Sequence, residues 1–296
     1  MEIKKAILPI AGLGTRFLPL SKVLPKELWP LVDKPLVQYI VEEVKASGIS
    51  QIIFVISSEK KVVLNYFEKY YLKKSLKLER TLKERNKVTL LKELKDLVEL
   101  CQGISVSHVF QKKPLGDGHA ILQAKNSIED EPVAVSFGDD IVDSETPCLL
   151  QLIKIFKTAQ KPVIALCQVP KEKIPSYGIV KVERIASRLY KIKKIIEKPK
   201  IEEAPSDLAI VGKYILTPEV FDYLKKTKPS NKGEIILANV FDEMIKDGKI
   251  IYGYQFKGQW LECGNKLNWL KSHLYFSLKH PEFGLKLKEY LKEIKY

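Results

Sequence analysis

The sequence predicts an α/β protein built on a mixed, mostly parallel central sheet flanked by helices, on three observations. A short apolar segment, Ile3 to Ile10, breaks into a loop containing Gly12 and Gly14. An amphipathic segment follows from Pro35, with Leu36, Val37, Ile40, Val41 and Val44 at three- and four-residue spacing and Gly48 as its stop. A second apolar run, Gln51 to Ile56, comes at once. Strand, helix and strand in this order form a βαβ unit, whose right-handed crossover requires parallel neighbours.

The later elements extend the pattern. Glu59 to Leu100 is rich in Lys, Glu and Leu without proline or glycine, which predicts helix with a break near Tyr66 to Tyr71. Ile104 to Phe110 returns to strand character, Gly118 to Ala124 opens a helix, and Pro132 to Phe137 is a compact strand ending at Gly138-Asp139-Asp140. Acids at such a strand end face a crevice. Pro147 to Ala159 reads as helix and Val163 to Gln168 as strand. Gly178 to Glu183 with Leu189 to Glu197 reads as a twisted antiparallel pair, which makes the sheet mixed. Leu208 to Leu216 is a further strand, Pro218 and Ile235 begin helices, and Lys249 to Phe256 is a late strand. Asn265 to His280 starts a helical tail reaching Tyr296. With no internal repeat or linker, the 296 residues are expected to form one domain with a full core.

Composition narrows the function classes. At 45% hydrophobic and 29% charged residues the chain resembles neither a disordered segment nor a collagen. No apolar run reaches the roughly 18 residues that cross a bilayer, and Met1 to Ile10 mixes charge into a strand, so a cytoplasmic protein is expected. Cys101, Cys148, Cys167 and Cys263 are widely spaced, without the pairing a zinc site needs, and read as reduced, mostly packed thiols. The net charge of +14 favours phosphate-bearing partners, from nucleotides to RNA. The basic stretch Lys69 to Lys95 interleaves Tyr70, Tyr71 and leucines, yet Glu79, Glu84 and Glu93 suit a solvated amphipathic helix better than a nucleic-acid surface.

Chemistry concentrates in the loops. In Ala11-Gly12-Leu13-Gly14-Thr15-Arg16, two glycines let backbone amides approach an anion while Arg16 adds donors, a plausible triphosphate cradle. The segment lacks both the Walker spacing and the third glycine of a dinucleotide fingerprint, and on its own a G-x-G turn can be purely structural. Pro25 restrains Leu24 and projects Lys26 toward the same loop, where the alternative is one exposed lysine among many.

Together with Pro25-Lys26-Glu27, Val32-Asp33-Lys34-Pro35-Leu36 and Gln38-Tyr39, that loop resembles the sugar nucleotidyltransferase family, in particular the bacterial UTP:glucose-1-phosphate uridylyltransferases. The likeness continues in order through Leu115-Gly116-Asp117-Gly118-His119-Ala120, Gly138-Asp139-Asp140, Tyr177-Gly178-Ile179-Val180, Glu197-Lys198-Pro199, Gly212-Lys213-Tyr214, Gly233-Glu234-Ile235 and Cys263-Gly264-Asn265-Lys266-Leu267. The resemblance implies the Rossmann-like nucleotide-diphospho-sugar transferase fold. It divides the single domain into a nucleotide half of about residues 1–145, a sugar-phosphate half of about 146–264 and a helical tail, 265–296, as a possible contact in a homodimer or homotetramer.

The family's reaction transfers UMP from UTP to glucose 1-phosphate with Mg²⁺, releasing pyrophosphate. The attacking phosphate oxygen is already an anion, so cations and alignment are needed rather than a base. The resemblance assigns Ala11, Gly12, Gly14, Thr15 and Arg16 to the triphosphate, with Lys26 reaching the same charge. Gln111 and Gly116 would read the uracil edge, Gln111 because one amide both donates and accepts. Asp139, ahead of Asp140, and Glu262 would hold the metal. Gly178 would admit the hexose, Glu197 would accept its hydroxyls, and Lys198 would grip its phosphate, the plainer reading of Glu197 being a surface salt bridge. His119 is assigned to hydrogen bonding at a helix start, since a phosphate nucleophile needs no base.

Several positions depart from the family pattern. Asp117 stands where an apolar residue is usual, Leu261-Glu262 replaces Tyr-Asp, and Ile236-Leu237-Ala238-Asn239 replaces Gln-Leu-Thr-Asp. The added charge at Asp117 must be solvated or paired. The alternatives are the same chemistry with dTTP or another sugar 1-phosphate, and a non-catalytic paralogue that binds sugar nucleotides.

Overall fold

The computed structural model describes residues 2–67, 69–231 and 233–294, with the side chains of 69–75 outside the description. Nine strands make one mixed sheet. Its order is Ser105–Phe110, Gln51–Ile56, Lys5–Pro9, Val133–Ser136, Leu208–Leu216, Val163–Gln168, Tyr252–Gln255, Leu189–Glu197 and Gly178–Ala186.

The first four strands are parallel, in registers that pair Gln51 with Ser105, Lys5 with Gln51 and Ala6 with Ala134. Alternate side chains supply opposite cores. Ala6, Leu8, Ile52, Phe54 and Ile56 pack with the helices Leu36–Ala46 and Cys148–Ala159. Ile7, Ile53 and Val55 pack with Asp117–Gln123, Pro218–Lys226 and Leu237–Lys246. Burial on both faces is why these strands read as continuous apolar runs.

Leu208–Leu216 runs antiparallel to both Val133–Ser136 and Val163–Gln168 and so joins the parallel region to the rest. Tyr252–Gln255 then pairs parallel to Val163–Gln168, and the expected antiparallel pair closes the far edge. A further bridge between Ala209 and Ile179 turns that edge back toward the long strand.

Local forces move several boundaries. The helical stretch after Glu59 is divided between Asn65 and Lys69, near the aromatic segment, although the Tyr70 and Tyr71 side chains lie outside the described residues. A second break falls at Asn86, which adopts φ 51°, a left-handed conformation that asparagine tolerates, so helices Lys69–Glu84 and Val88–Gln102 pack together. The helix expected from Ile235 starts at Leu237, because the Ile235 N–H donates to Leu115 O at 2.8 Å and its carbonyl accepts from Gly118 N at 2.9 Å. The late strand is shortened to Tyr252–Gln255, and the tail divides around Pro281 into Lys266–Lys279 and Gly284–Glu293.

Two small antiparallel ribbons have no counterpart in the sequence reading, and the first pairs Pro30–Leu31 with Lys34–Pro35. Asp140–Asp143 and Gln259–Glu262 form a separate antiparallel ribbon that sets Glu262 opposite Asp140 and Leu261 opposite Ile141. Cys101, Cys148 and Cys263 are buried and Cys167 half-buried, all as free thiols. Among the described residues no helix is long and apolar enough to cross a membrane.

Lys213, fully buried, ties the layers together. Its Nζ lies 2.7 Å from Glu43 Oε2 on the first long helix and donates to Ser136 Oγ at 3.0 Å, while Glu43 Oε1 accepts from Leu149 N at 3.0 Å. Lys213→Met leaves a buried carboxylate without its cation, so the variant is expected to lose about 3 kcal/mol or more in urea unfolding.

Candidate active site

The glycine turn leaves the first strand at the edge of a cleft of about 550 Å³. Gly14 has φ 66° and starts the 3₁₀ turn Thr15–Phe17, whose Phe17 N donates back to Gly14 O at 2.9 Å. That turn buries Phe17 and leaves Arg16 exposed. A Cβ on Gly12 would meet nothing within 4 Å, so at this position glycine keeps the approach open. Ala11, Gly12, Gly14, Thr15 and Arg16 all line the cleft, and so do Lys26, Gln111 and Gly116.

Gln111, buried at the end of its strand, has less hydrogen-bonding freedom than expected. Its Nε2 donates to Gly116 O at 2.9 Å and lies 2.9 Å from His119 Nδ1. With the donor side engaged internally, the amide oxygen is the group left to accept. His119 thus fixes Gln111 from a helix start, and partial burial lowers its pKa, which favours the neutral ring. Gly116 is required by its own backbone, with φ 96° and a would-be Cβ 2.4 Å from Ile235 O.

A second cleft, of about 610 Å³, abuts the first. Arg16, Asp117, Phe137, Glu197, Lys198 and Ile236 line both. The far hairpin ends here: Gly178 pairs with Glu197, and a Cβ on Gly178 would stand 3.0 Å from Glu197 Oε2. Glycine at 178 therefore gives room to the Glu197 carboxylate as well as to any ligand. Lys198 adopts φ 49°, an unfavourable conformation for a side chain of its size, and its N–H donates to Tyr177 O at 3.1 Å. Its ammonium lies 3.3 Å from Glu197 Oε1 with the side chain 62% exposed, leaving it free to exchange partners. The salt bridge considered for Glu197 thus exists, within the cleft wall.

The ribbon brings the two acids proposed for metal into one place. Asp139 directly precedes it, with Cys263 N donating to Asp139 O at 2.7 Å. A Cβ on Gly264 would meet Glu262 Oε1 at 2.5 Å, Asp139 Oδ2 at 3.1 Å and Arg16 Nη1 at 3.4 Å, so two carboxylates and a guanidinium converge on that glycine. Glu262 is held by Tyr177 Oη at 3.3 Å, by Asn268 Nδ2 and by Gly264 N at 3.1 Å.

Lys26 Nζ lies 2.5 Å from Asp139 Oδ2. Burial opposes both charges, yet mutual attraction, helped by Glu27 for the lysine and Arg16 for the aspartate, raises the Lys26 pKa and lowers that of Asp139. Glu27, 1% exposed, is gripped by Lys60 at 2.8 and 2.9 Å, which anchors the short turn carrying Lys26.

Asp140 is engaged differently. It accepts from Trp260 Nε1 at 2.7 Å and Gly212 N at 3.2 Å, and burial together with the Asp139 charge pushes its pKa up to about 7. Its oxygens serve the framework. Among the described residues no group of three or more His, Cys, Asp or Glu side chains is gathered as a metal site.

The sequence reading did not single out Phe137, Tyr177, Trp260 or Asn268. For Trp260 a signal existed, because in a strand ending at Glu262 residues two apart share a face. Of the altered segment, Ile236 and Ala238 line the clefts. Asp117 meets the demand for pairing through backbone donors: its Oδ1 accepts from Gly118 N at 2.6 Å and Leu237 N at 3.0 Å.

Two adjoining clefts, one walled by a glycine turn and the other by a hairpin end, with acids and bases at their junction, fit the transfer of a nucleotidyl group. The chain belongs to the nucleotidyl transferase family, whose model matches residues 5–275. Among its relatives, the UTP–glucose-1-phosphate uridylyltransferase of Staphylococcus haemolyticus is 41% identical over 293 residues, spanning 99% of both chains. A second from Staphylococcus saprophyticus is 40% identical over 294 residues, again 99% of each. A solved UTP-bound UGPase from Acinetobacter baumannii superposes with TM-score 0.87 at 38% identity, covering 99% of this chain and all of that one. A UDP-glucose pyrophosphorylase complexed with UDP-glucose gives 0.84 at 35%, covering 94% and 100%.

Burial above all, with a smaller push from the Glu197 charge, raises the Asp117 pKa to about 6, against three backbone hydrogen bonds, from Leu237, Gly118 and Asp117 itself, that favour the anion. The folded chain therefore binds a proton here that the unfolded chain, with an ordinary carboxylate at 3.8, releases earlier. This contribution to stability is complete below about pH 4 and is lost as pH rises through about 6. Asp117→Asn is expected to remove that decline, on the order of 2 kcal/mol, from denaturation measured between pH 4 and 7.

Proposed function

We propose that this protein transfers UMP from UTP to glucose 1-phosphate, forming UDP-glucose and pyrophosphate. The observation that carries the reading is the shared wall of the two clefts, where Arg16, Glu197 and Lys198 stand at the junction and Lys26, Asp139 and Glu262 lie beside it. A sugar phosphate in one cleft and a triphosphate in the other would meet there. A phosphate oxygen of glucose 1-phosphate forms a bond to the α-phosphorus as the bond to the bridging oxygen breaks, and pyrophosphate departs with that electron pair. No proton has to move. The cost is electrostatic, and the cations offset the repulsion between two polyanions.

Within this reading, residues 1–145 serve the nucleotide, 146–264 the sugar phosphate, and 265–296 contribute to assembly. The glycine turn and Arg16 receive the triphosphate, and Gln111 Oε1 accepts from the uracil imide. Lys26 exchanges its Asp139 partner for phosphate, Glu197 accepts sugar hydroxyls, and Lys198 holds the sugar phosphate.

Asp139 Oδ2 and Glu262 Oε1, both hard oxygen donors converging on Gly264, suit Mg²⁺, which commonly takes one or two carboxylates and completes its shell with phosphate and water. When bound, the ion supplies positive charge between phosphate oxygens.

Free thiols at all four cysteines support a cytoplasmic location. Exposed Leu267, Leu270 and Leu274 on one tail helix and Leu285 on the next support a homodimer or homotetramer through that tail.

Incubation with Mg²⁺, glucose 1-phosphate and each nucleoside triphosphate in turn is expected to release pyrophosphate with UTP in preference to dTTP, CTP, ATP or GTP. Silence from folded protein with every triphosphate would leave the non-catalytic reading standing. Asp139→Asn should lower kcat by about 100-fold or more with circular dichroism unchanged, and near-normal Mg²⁺-dependent turnover would remove this residue from the metal site. Lys198→Ala should raise the KM for glucose 1-phosphate by about tenfold and leave that for UTP within about threefold, in steady-state assays that vary each substrate.

A further inference from the structure

The loop Leu115–Gly118 belongs to the nucleotide side, and the segment 234–238 runs from the nucleotide cleft, at Glu234, to the wall of the other, at Ala238. The two are stitched together edge to edge. Ile235 N donates to Leu115 O at 2.8 Å, Gly118 N donates to Ile235 O at 2.9 Å, and Leu237 N donates to Asp117 Oδ1 at 3.0 Å. The approach is close enough that a Cβ on Gly118 would stand 3.0 Å from Ile235 O.

The third bond has a distinct character. Helix Leu237–Lys246 begins at Ile236, whose side chain cannot cap it, and its first turn carries no acid. An uncapped helix start leaves amide donors unsatisfied. Here the cap comes from a residue 120 positions earlier, and the same oxygen also accepts from Gly118 N at 2.6 Å. One carboxylate thereby fixes the first amide of the sugar-side helix and the Gly118 amide of the nucleotide loop.

Ile236 lines both clefts, Glu234 the nucleotide cleft and Ala238 the sugar cleft. Their positions depend on where this helix starts. We propose that Asp117 is a positioning residue for the sugar-phosphate subsite: by capping the helix Leu237–Lys246 from the nucleotide loop, its carboxylate holds the wall formed by Ile236 and Ala238 at the spacing that glucose 1-phosphate requires. This rests on the activity proposed above and adds a residue that acts through its neighbours. The effect is asymmetric. Without Asp117 the nucleotide loop keeps both Leu115 and Gly118 bonds to Ile235 and the Gln111 contact to Gly116, whereas the helix start loses the side-chain acceptor of its first amide.

The test compares the wild type, Asp117→Ala and Asp117→Asn in steady-state kinetics that vary each substrate, together with calorimetric titration of UMP. Asp117→Ala is expected to raise the KM for glucose 1-phosphate about tenfold, the fold-change of one buried amide left without an acceptor. The KM for UTP, kcat and UMP affinity should stay within about threefold. Asp117→Asn, which keeps an oxygen acceptor, should restore most of the loss. Equal changes for both substrates, or unchanged kinetics with only a lower melting temperature, would reduce Asp117 to a structural residue and overturn the proposal. Failure of Asp117→Asn to restore sugar-phosphate KM would overturn it as well. Should Asp117→Ala not fold, the apolar variant Asp117→Leu takes its place: a lower sugar-phosphate KM in Asp117→Asn than in Asp117→Leu supports the proposal, and equal values overturn it. A wild type that binds UMP but makes no UDP-glucose refutes the activity itself, a separate outcome from either.

Discussion

The register of one four-residue ribbon governs this site. By setting Glu262 opposite Asp140, the pairing of Asp140–Asp143 with Gln259–Glu262 brings a residue from far along the chain beside the acids that follow the central strand Val133–Ser136. A slip of one position would turn Glu262 to the other face and take Trp260 away from Asp140. The convergence of Glu262 with Asp139 at Gly264 follows from that alignment. The carboxylates are then divided by environment: Asp139 is ionised by Lys26 and Arg16, while Asp140 is held in the framework by Trp260 and Gly212 with a raised pKa. Two adjacent acids can coexist because one is matched to cations and the other is partly relieved of its charge.

A second theme is that cations are prepositioned by buried charge. Glu27 is nearly inaccessible and gripped by Lys60, so the turn bearing Lys26 has little freedom. Groups fixed before substrate arrives need no reorganisation when phosphate charge shifts, which is where a protein can most effectively lower the barrier of such a transfer. Lys198 follows the same logic by a different device, since an uncommon backbone angle rather than a buried partner points it into the cleft wall.

Much of this was legible beforehand. The apolar runs at Gln51 to Ile56, Val163 to Gln168 and Leu208 to Leu216 match strands residue for residue, because burial on both faces leaves an unbroken signal. The residues of the glycine turn and Gln111 come together along one cleft, and Glu197 lines both clefts. What the linear pattern hid was pairing across long separations. Asp140 to Asp143 and Gln259 to Glu262 are too short to register as strands, and Asp117 carries no local mark of a partner 120 positions away. The single Gln111 amide looked able to donate and accept toward a base until Gly116 was found using its nitrogen. Distant partners decided the first two, and the local fold of the loop after its strand decided the Gln111 case.

The sheet has two open borders, Ser105–Phe110 and Gly178–Ala186, and the second is finished with charge. The outer strand Gly178–Ala186 buries its first residues against the molecule and then exposes Lys181, Arg184 and Ala186, with Glu183 paired to Lys193 across the hairpin. Ionic side chains along a bare row of amides and carbonyls discourage a neighbouring polypeptide from adding itself as a tenth strand. A chain with a surplus of positive charge also repels its own copies at long range. In a crowded solution that border strand therefore resists fibre-like stacking.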